Sequence, residues 1–243
     1  GSATNDGGCG AAAALGVEFR NAAGELFVPV GGTLKEIASV SAAHLHHLVR
    51  QVPFTAMCDI DNPLCGETGA SAVFGPQKGA DDAMVIRLDE GLRHLADIVN
   101  RDLGRDILNL PGSGAAGGFG GGSVAFFDST LRMGIDIVLD ITRFDRLAAD
   151  ADLVLTGEGR LDSQSLRGKV VVGVARRAKR LGVPAAALVG ASETGIAAVY
   201  DEGISGVFPI NPMPQPFETV REHTEENLRF TMSNLMRYTA RLR

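Results

Sequence analysis

"ADLVLTGEGRLDSQSLRGKVVVGVARRAKRLGVPAAALVG", residues 151–190, places a helical pattern between two short apolar runs. The runs Leu153–Thr156 and Ala185–Gly190 read as strands, each bounded by turn residues. Between them Val171, Val174, Ala175 and Ala178 share one face of a predicted helix, Val170–Leu181, and Gly182 marks its end. Strand, helix, strand in that order implies a parallel pair joined by a crossover, the unit of a doubly wound α/β fold. A third strand, Gly206–Ile210, and helices over Gly195–Glu202 and Phe217–Leu242 continue the alternation. Parallel sheets are covered on both faces and rarely stop at three strands, so this sheet draws strands from elsewhere.

Residues 1–148 follow another style. Val17–Phe19 and Leu26–Val28 flank "RNAAGE" as a hairpin. Pro53–Ile60 reads as a buried strand, and Asp81–Leu103 as a long amphipathic helix entered through "GADD". Polar, glycine-rich segments at 1–8, 59–69, 75–79 and 112–122 suggest a ligand cleft. The change near Asp150 divides the chain into domains at 1–148 and 149–243.

The 243 residues are 45% hydrophobic and 21% charged, enough for one or two ordinary cores. No apolar run approaches the ~20 residues of a membrane span, and no signal peptide is evident, so a cytoplasmic protein is expected. A net charge of −6 without a basic cluster argues against nucleic acid as a partner. Cys9, Cys58 and Cys65 form no CxxC pair and read as reduced thiols. His44 and His47 share a helical face in "SAAHLHHLVR" but lack the third ligand that catalytic zinc takes, so they read as surface residues.

Ligands of open α/β sheets bind beyond the carboxyl ends of the strands. Gly157 and Gly159 are expected to turn the chain there, presenting Glu158, Arg160 and Asp162. Two carboxylates suit Mg²⁺, and Arg160 or Lys169 suits a phosphate or carboxylate; a solvated turn with mutually paired charges fits the same residues. In "PGSGAAGGFGGGS", residues 111–123, Gly112, Gly114 and Gly117 match GxGxxG. No strand precedes them, which disfavours a dinucleotide site and a nicotinamide-dependent oxidoreductase. Close approach of amides to an anion remains, with a helix beginning near Ser123, beside the alternative of a packing turn. Asp59 and Asp61 stand at a strand end, suited to a general base or metal ligand, and Lys78 on a Gly-Pro-framed loop suits a phosphate. An Asx-turn before a capped helix fits that stretch equally well.

Together, "GSATNDGG" (1–8), "CDIDNPLCGETGASAVFGPQKGA" (58–80), "LPGSGAAGGFGGG" (110–122) and "ADLVLTGEGRLDSQSLRGKVVVGVA" (151–175) closely resemble the type I bacterial glycerate kinases over essentially the whole chain. The resemblance implies transfer of the γ-phosphate of ATP to D-glycerate or a similar hydroxy acid, at the 2-hydroxyl, with Mg²⁺. It implies an α/β fold of two domains. One is a Rossmann- or flavodoxin-like parallel-sheet domain, here only its C-terminal part. The other is an inserted mixed α/β domain, with a cleft between the two. The segments carrying "PDS(F/Y)K" and "ADGGEGT" have no equivalent in these residues, so a truncated N-terminus is expected, and with it the alternative of a non-catalytic anion-binding fragment. A homodimer is compatible with the pattern. Cys9, Cys65 and Met133 depart from the family's usual residues. The resemblance implies Asp162 and Glu158 for Mg²⁺ or for orienting the acceptor, and Arg160 for the acid's carboxylate or the transferred phosphate. Asp59 or Asp61 would be the base. Ser2, Thr4, Asn5, Asp6, Asn62, Lys78, Gly112, Gly114, Gly117 and Lys169 would bind substrate and phosphates.

Overall fold

The structure, a computed structural model, describes residues 2–162, 165–167 and 170–241. The chain divides into two compact units, Gly1–Met133 and Gly134–Arg243. The division falls ahead of the change of style near Asp150, because the two helices between Gly134 and Ala148 fasten to the second unit.

In the first unit helix α1 (Cys9–Ala14) leads into strands β1 (Glu18–Arg20), β2 (Leu26–Phe27) and β3 (Ser39–Ser41), an antiparallel sheet in the order β2-β1-β3. The expected hairpin forms as an Asx-turn, with Asn21 Oδ1 accepting from the amides of Ala23 and Glu25, both at 3.0 Å. Strand β4 (Thr55–Met57) follows, then helices α2 (Ala70–Phe74), α3 (Asp82–Leu103) and α4 (Ala115–Phe127), and strand β5 (Thr130–Arg132), which pairs parallel with β4. The expected buried strand Pro53–Ile60 is therefore three residues long and open on one side, with Met57 61% exposed. It stops where Cys58 turns inward, its amide bonding Arg132 O and its thiol directed at Ile60 O.

Helix α3 begins where Asp81 accepts from the Met84 amide at 2.7 Å and ends at left-handed Gly104. Leu92, Leu95, Ala96 and Val99 recur at helical spacing and are buried among Phe19, Leu34, Leu64 and Ile107. Phe19 meets Phe126 of α4 edge-on, with centroids 5.7 Å apart. At its far end Asp102 takes the Val40 amide at 2.8 Å, and Arg101 Nε and Nη2, binding α3 to β3.

The second unit opens with α5 (Gly134–Ile141) and α6 (Phe144–Ala148), then strand β6 (Val154–Leu161), helix α7 (Val170–Leu181), strand β7 (Ala185–Ser192), α8 (Ala198–Asp201), strand β8 (Ile204–Pro209), α9 (Phe217–Glu222) and α10 (Thr224–Thr239). The sheet is parallel in the order β6-β7-β8. Helix α7 matches its expected bounds, with Gly182 left-handed after it. Two helices are shorter than their patterns. The Gly195–Glu202 helix forms only over α8, and the Phe217–Leu242 helix breaks at His223, whose ψ of 13° leaves the helical range. On α7, Arg177 is 9% exposed and reaches Asp140, Asp145 (3.0 Å) and Asp136 (3.7 Å), which holds α5 and α6 against α7. Gly173 lets Ile135 close in, since a Cβ there would lie 2.6 Å from its side chain. No helix among the described residues is long and apolar enough to cross a membrane. The three cysteines are buried and free; burial, aided by Asp89, pushes the Cys65 thiol up to about 12.

The hydrogen bond from Arg101 holds the Asp102 carboxyl below the ordinary aspartate range, with help from the Val40 amide. A carboxyl lowered in the folded state stabilises above its unfolded pKa, and that contribution is lost as pH falls through the folded value. Asp102→Ala is expected to cost about 1–2 kcal/mol at pH 7. The difference from the parent chain should shrink below a pH of about 4, as measured by urea unfolding across a pH series.

Candidate active site

In the first unit three loops lie against one another, and glycine is what lets them do so. A Cβ on Gly117 would sit 2.1 Å from Thr4 O, and one on Gly122 would sit 1.9 Å from Gly7 O. One on Gly114 would sit 2.3 Å from Pro63 O, and one on Gly112 would sit 2.8 Å from Cys58 Sγ. Hydrogen bonds follow the same contacts: Gly7 N donates to Gly117 O at 3.0 Å, and Gly114 N to Asn62 O at 3.1 Å. Thus Gly112, Gly114 and Gly117 are buried and turn their Cα faces to protein atoms. The regular helix begins at Phe119, four residues before the expected start at Ser123. Gly114 and Ala115 are right-handed, Ala116, Gly117 and Gly118 are left-handed, and a regular helix runs on to Phe127.

The polar residues of these loops have distinct partners. Lys78 ends a short turn, Pro76–Lys78, and donates from Nζ to Thr4 O at 2.7 Å and to Ser2 Oγ at 3.0 Å. Burial lowers its pKa, while the charge of Asp6 works in the opposite direction. Asp6 is committed to α1, its two oxygens accepting from Gly8 N and Gly10 N, both at 3.1 Å. Asn5 is buried and donates to Ser71 Oγ at 3.0 Å, and its own Oδ1 has no donor among the described residues. Asn62 holds its loop closed by donating to Thr68 O at 2.8 Å. Asp59 and Asp61 are exposed on that loop. A cavity of about 500 Å³ is lined by Ser2, Ile60, Phe74, Gln77, Lys78 and Ala116. The structure therefore brings Ser2, Thr4 and Lys78 together, and sets Gly117 against Thr4.

Ala116 escaped the sequence reading. Its φ of 54° is left-handed, which costs an L-residue roughly 1–2 kcal/mol. Nothing in "GSGAAGGFGG" marks which alanine takes that conformation. The histidine pair does not share a helix: His44 Nδ1 lies 2.9 Å from Glu18 Oε1, and His47 opens a 3₁₀ turn with its ring beside His46.

In the second unit Glu158 and Arg160 stand within β6, not on a turn after it. The strand runs five residues past its expected end because Glu158 and Arg160 stay in register with Val189 and Ala191 of β7. Gly157 and Gly190 serve this pairing, whereas a Cβ on Gly159 would meet nothing within 4 Å. A Cβ on Gly157 would lie 2.4 Å from Leu188 O, and one on Gly190 would lie 2.5 Å from Gly159 O. Arg160 Nη2 bonds Glu193 Oε1 at 2.5 Å, and its Nε lies 4.0 Å from Asp162 Oδ2. Glu193, just past β7, was not anticipated; no spacing in the sequence pairs it with Arg160 across 33 residues. The Asp162 amide bonds Ser165 Oγ at 3.2 Å. Among the described residues Oε1 of Glu158 is buried with no hydrogen-bond partner. Lys169 lies outside the described residues. Among the described residues no group of three or more His, Cys, Asp or Glu forms a metal cluster. A buried carboxylate oxygen without a donor, as at Glu158, is the kind of group Mg²⁺ takes, since the ion binds through one or two protein carboxylates.

The sequence profile of the "Glycerate kinase family" matches residues 1–240. The glycerate kinase of Bacillus cereus is 46% identical over 235 residues, covering 97% of this chain and 62% of its own. The glycerate 2-kinase of Escherichia coli is 40% identical over 210 residues, covering 86% of this chain and 55% of its own. Among solved structures, a protein described as glycerate kinase 2 of Salmonella typhimurium LT2 superimposes with a TM-score of 0.81 at 42% identity, covering 99% of this chain and 62% of that one. The chain spans about three fifths of the length of these relatives.

Gly122→Ala is expected to force the 2–8 loop off α4, destabilising the first unit by roughly 1–3 kcal/mol. Gly32→Ala, where a Cβ meets nothing within 4 Å, should leave the unfolding midpoint within a degree or two. Thermal melts of both variants measure the contrast.

Proposed function

Because the chain belongs to the glycerate kinase family, we propose that it carries the machinery for moving the γ-phosphate of ATP to the 2-hydroxyl of D-glycerate, giving 2-phosphoglycerate, in the cytoplasm. The observation that carries this reading is the group at the carboxyl end of β6, where Arg160 is held by Glu193 with Asp162 nearby. Phosphoryl transfer asks a protein for positioning and charge compensation more than for covalent chemistry.

Arg160 offers a planar fork suited to the glycerate carboxylate. Glu158 and Asp162 are the residues that would hold Mg²⁺ or orient the acceptor hydroxyl. When bound, the ion supplies positive charge to the phosphate oxygens. Asp59 or Asp61 would accept the hydroxyl proton. Ser2, Thr4, Asn5, Asn62, Lys78, Gly117 and Lys169 are assigned to holding substrate and phosphates, and Gly112 and Gly114 to the close packing that shapes their loop. Asp6 shapes the 2–8 loop through its bonds to α1.

The test is ADP release from ATP that depends on D-glycerate, run on this chain and on a form as long as its relatives. Glycerate-dependent release is expected from the longer form, and Asp162→Asn in it should slow turnover at least tenfold with an unchanged melting temperature. Release by neither form would overturn the reading.

A further inference from the structure

We propose that the backbone turn at Ala116–Gly117 and the Lys78 ammonium form one oxyanion site, which takes a phosphate or diphosphate group in preference to a carboxylate. The proposal deepens the phosphoryl-transfer reading and takes its ligand class from it. Of the three GxGxxG glycines it uses only the Gly117 amide, beside Ala116, which lies outside that motif.

Charge is the first argument. Among the described residues Lys78 forms no ion pair, and both bonds recorded for Nζ go to uncharged oxygens, Ser2 Oγ and Thr4 O. An ammonium has three N–H donors, so one remains. The cavity beside it is lined by Ser2, Ile60, Phe74, Gln77, Lys78 and Ala116, which include one cation and no carboxylate.

Backbone shape is the second. The chain passes from right-handed Ala115 to left-handed Ala116 at the cavity wall, and because the Ala115 amide is bonded to Gly112 O at 3.0 Å, the turn offers the amides of Ala116 and Gly117. Such a change of hand in adjacent residues turns successive amides toward one point, the nest that receives phosphate oxygens. Gly112, Gly114 and Gly117 are instead packed against Cys58, Pro63 and Thr4, and Gly114 N is already bonded to Asn62 O. Their Cα faces are turned to protein, whereas Ala116 is exposed.

The choice of phosphate follows from donor geometry. A lysine is a point charge, and converging amides reach several oxygens of a tetrahedral group. A carboxylate is better met by the planar fork of an arginine, which this chain presents separately at Arg160.

Titration of the whole ¹⁵N-labelled chain with inorganic pyrophosphate, followed by amide NMR, tests the site. Saturable shifts are expected at Ala116 and Gly117, absent when acetate replaces pyrophosphate at equal ionic strength. Lys78→Met should weaken binding at least tenfold, while Ala116→Gly, which keeps the amide and relieves the strained φ, should keep the affinity and raise the melting temperature. Equal shifts with acetate, no saturation, or an unchanged affinity in folded Lys78→Met would each overturn the proposal. If pyrophosphate saturates these amides but the longer form shows no glycerate-dependent ADP release, the kinase reading fails and the site stands. If turnover is present and Lys78→Met leaves pyrophosphate affinity intact, the site fails and the kinase reading stands.

Discussion

Backbone rests directly on backbone where the 2–8 loop crosses α4, and the architecture of the first unit depends on that contact. Two peptide chains approach this closely only if neither carries a Cβ at the crossing. The gaps of 1.9 Å and 2.1 Å that a methyl would face at Gly122 and Gly117 explain why glycine recurs there. The arrangement gives up helix propensity, since each glycine inside a helix costs about 1 kcal/mol relative to alanine. Burial of Phe126 and Phe127 against the α3 core offsets that cost. With the crossing in place, Thr4 is brought within reach of Lys78, and the cavity wall at Ala116 follows.

Features whose cause is local were legible in the sequence. The Asp81 cap, the Gly104 stop, the apolar stripe of α3 and the Asn21 turn are each set by residues a few positions apart, as are the bounds of α7. The alternation of strands and helices after Asp150 gave the parallel sheet for the same reason. What was hidden depends on distant partners. Charged residues 158–160 read as a loop, yet pairing with β7 extends the strand through them. Met57 reads as buried in an apolar run, but no sheet covers it. Arg160 finds Glu193, and Asn5 finds Ser71, only after the chain has folded.

The candidate site was legible as a set of segments, not as a set of roles. Glycine repeats suit both the cradling of an anion and the packing of backbones, and the sequence alone does not separate the two. Cβ positions do: at Gly112, Gly114 and Gly117 they point at protein atoms. Asp6 is similar, because a carboxylate beside two glycines looks like a ligand until its oxygens are seen capping α1.

Cys58 joins the two loops beneath the cavity, its sulfur 3.2 Å from Ile60 O and 3.6 Å from Gly112 O. The neighbouring left-handed Gly112 already has no room for a methyl, whose carbon would lie 2.8 Å from that sulfur. An oxygen added to the thiol, as in a sulfenic acid, would meet two carbonyl oxygens in a space that holds one sulfur. The alignment of residues 58–63 with 110–114 is therefore a property of the reduced protein, and the chain's oxidation history belongs among the variables that govern it.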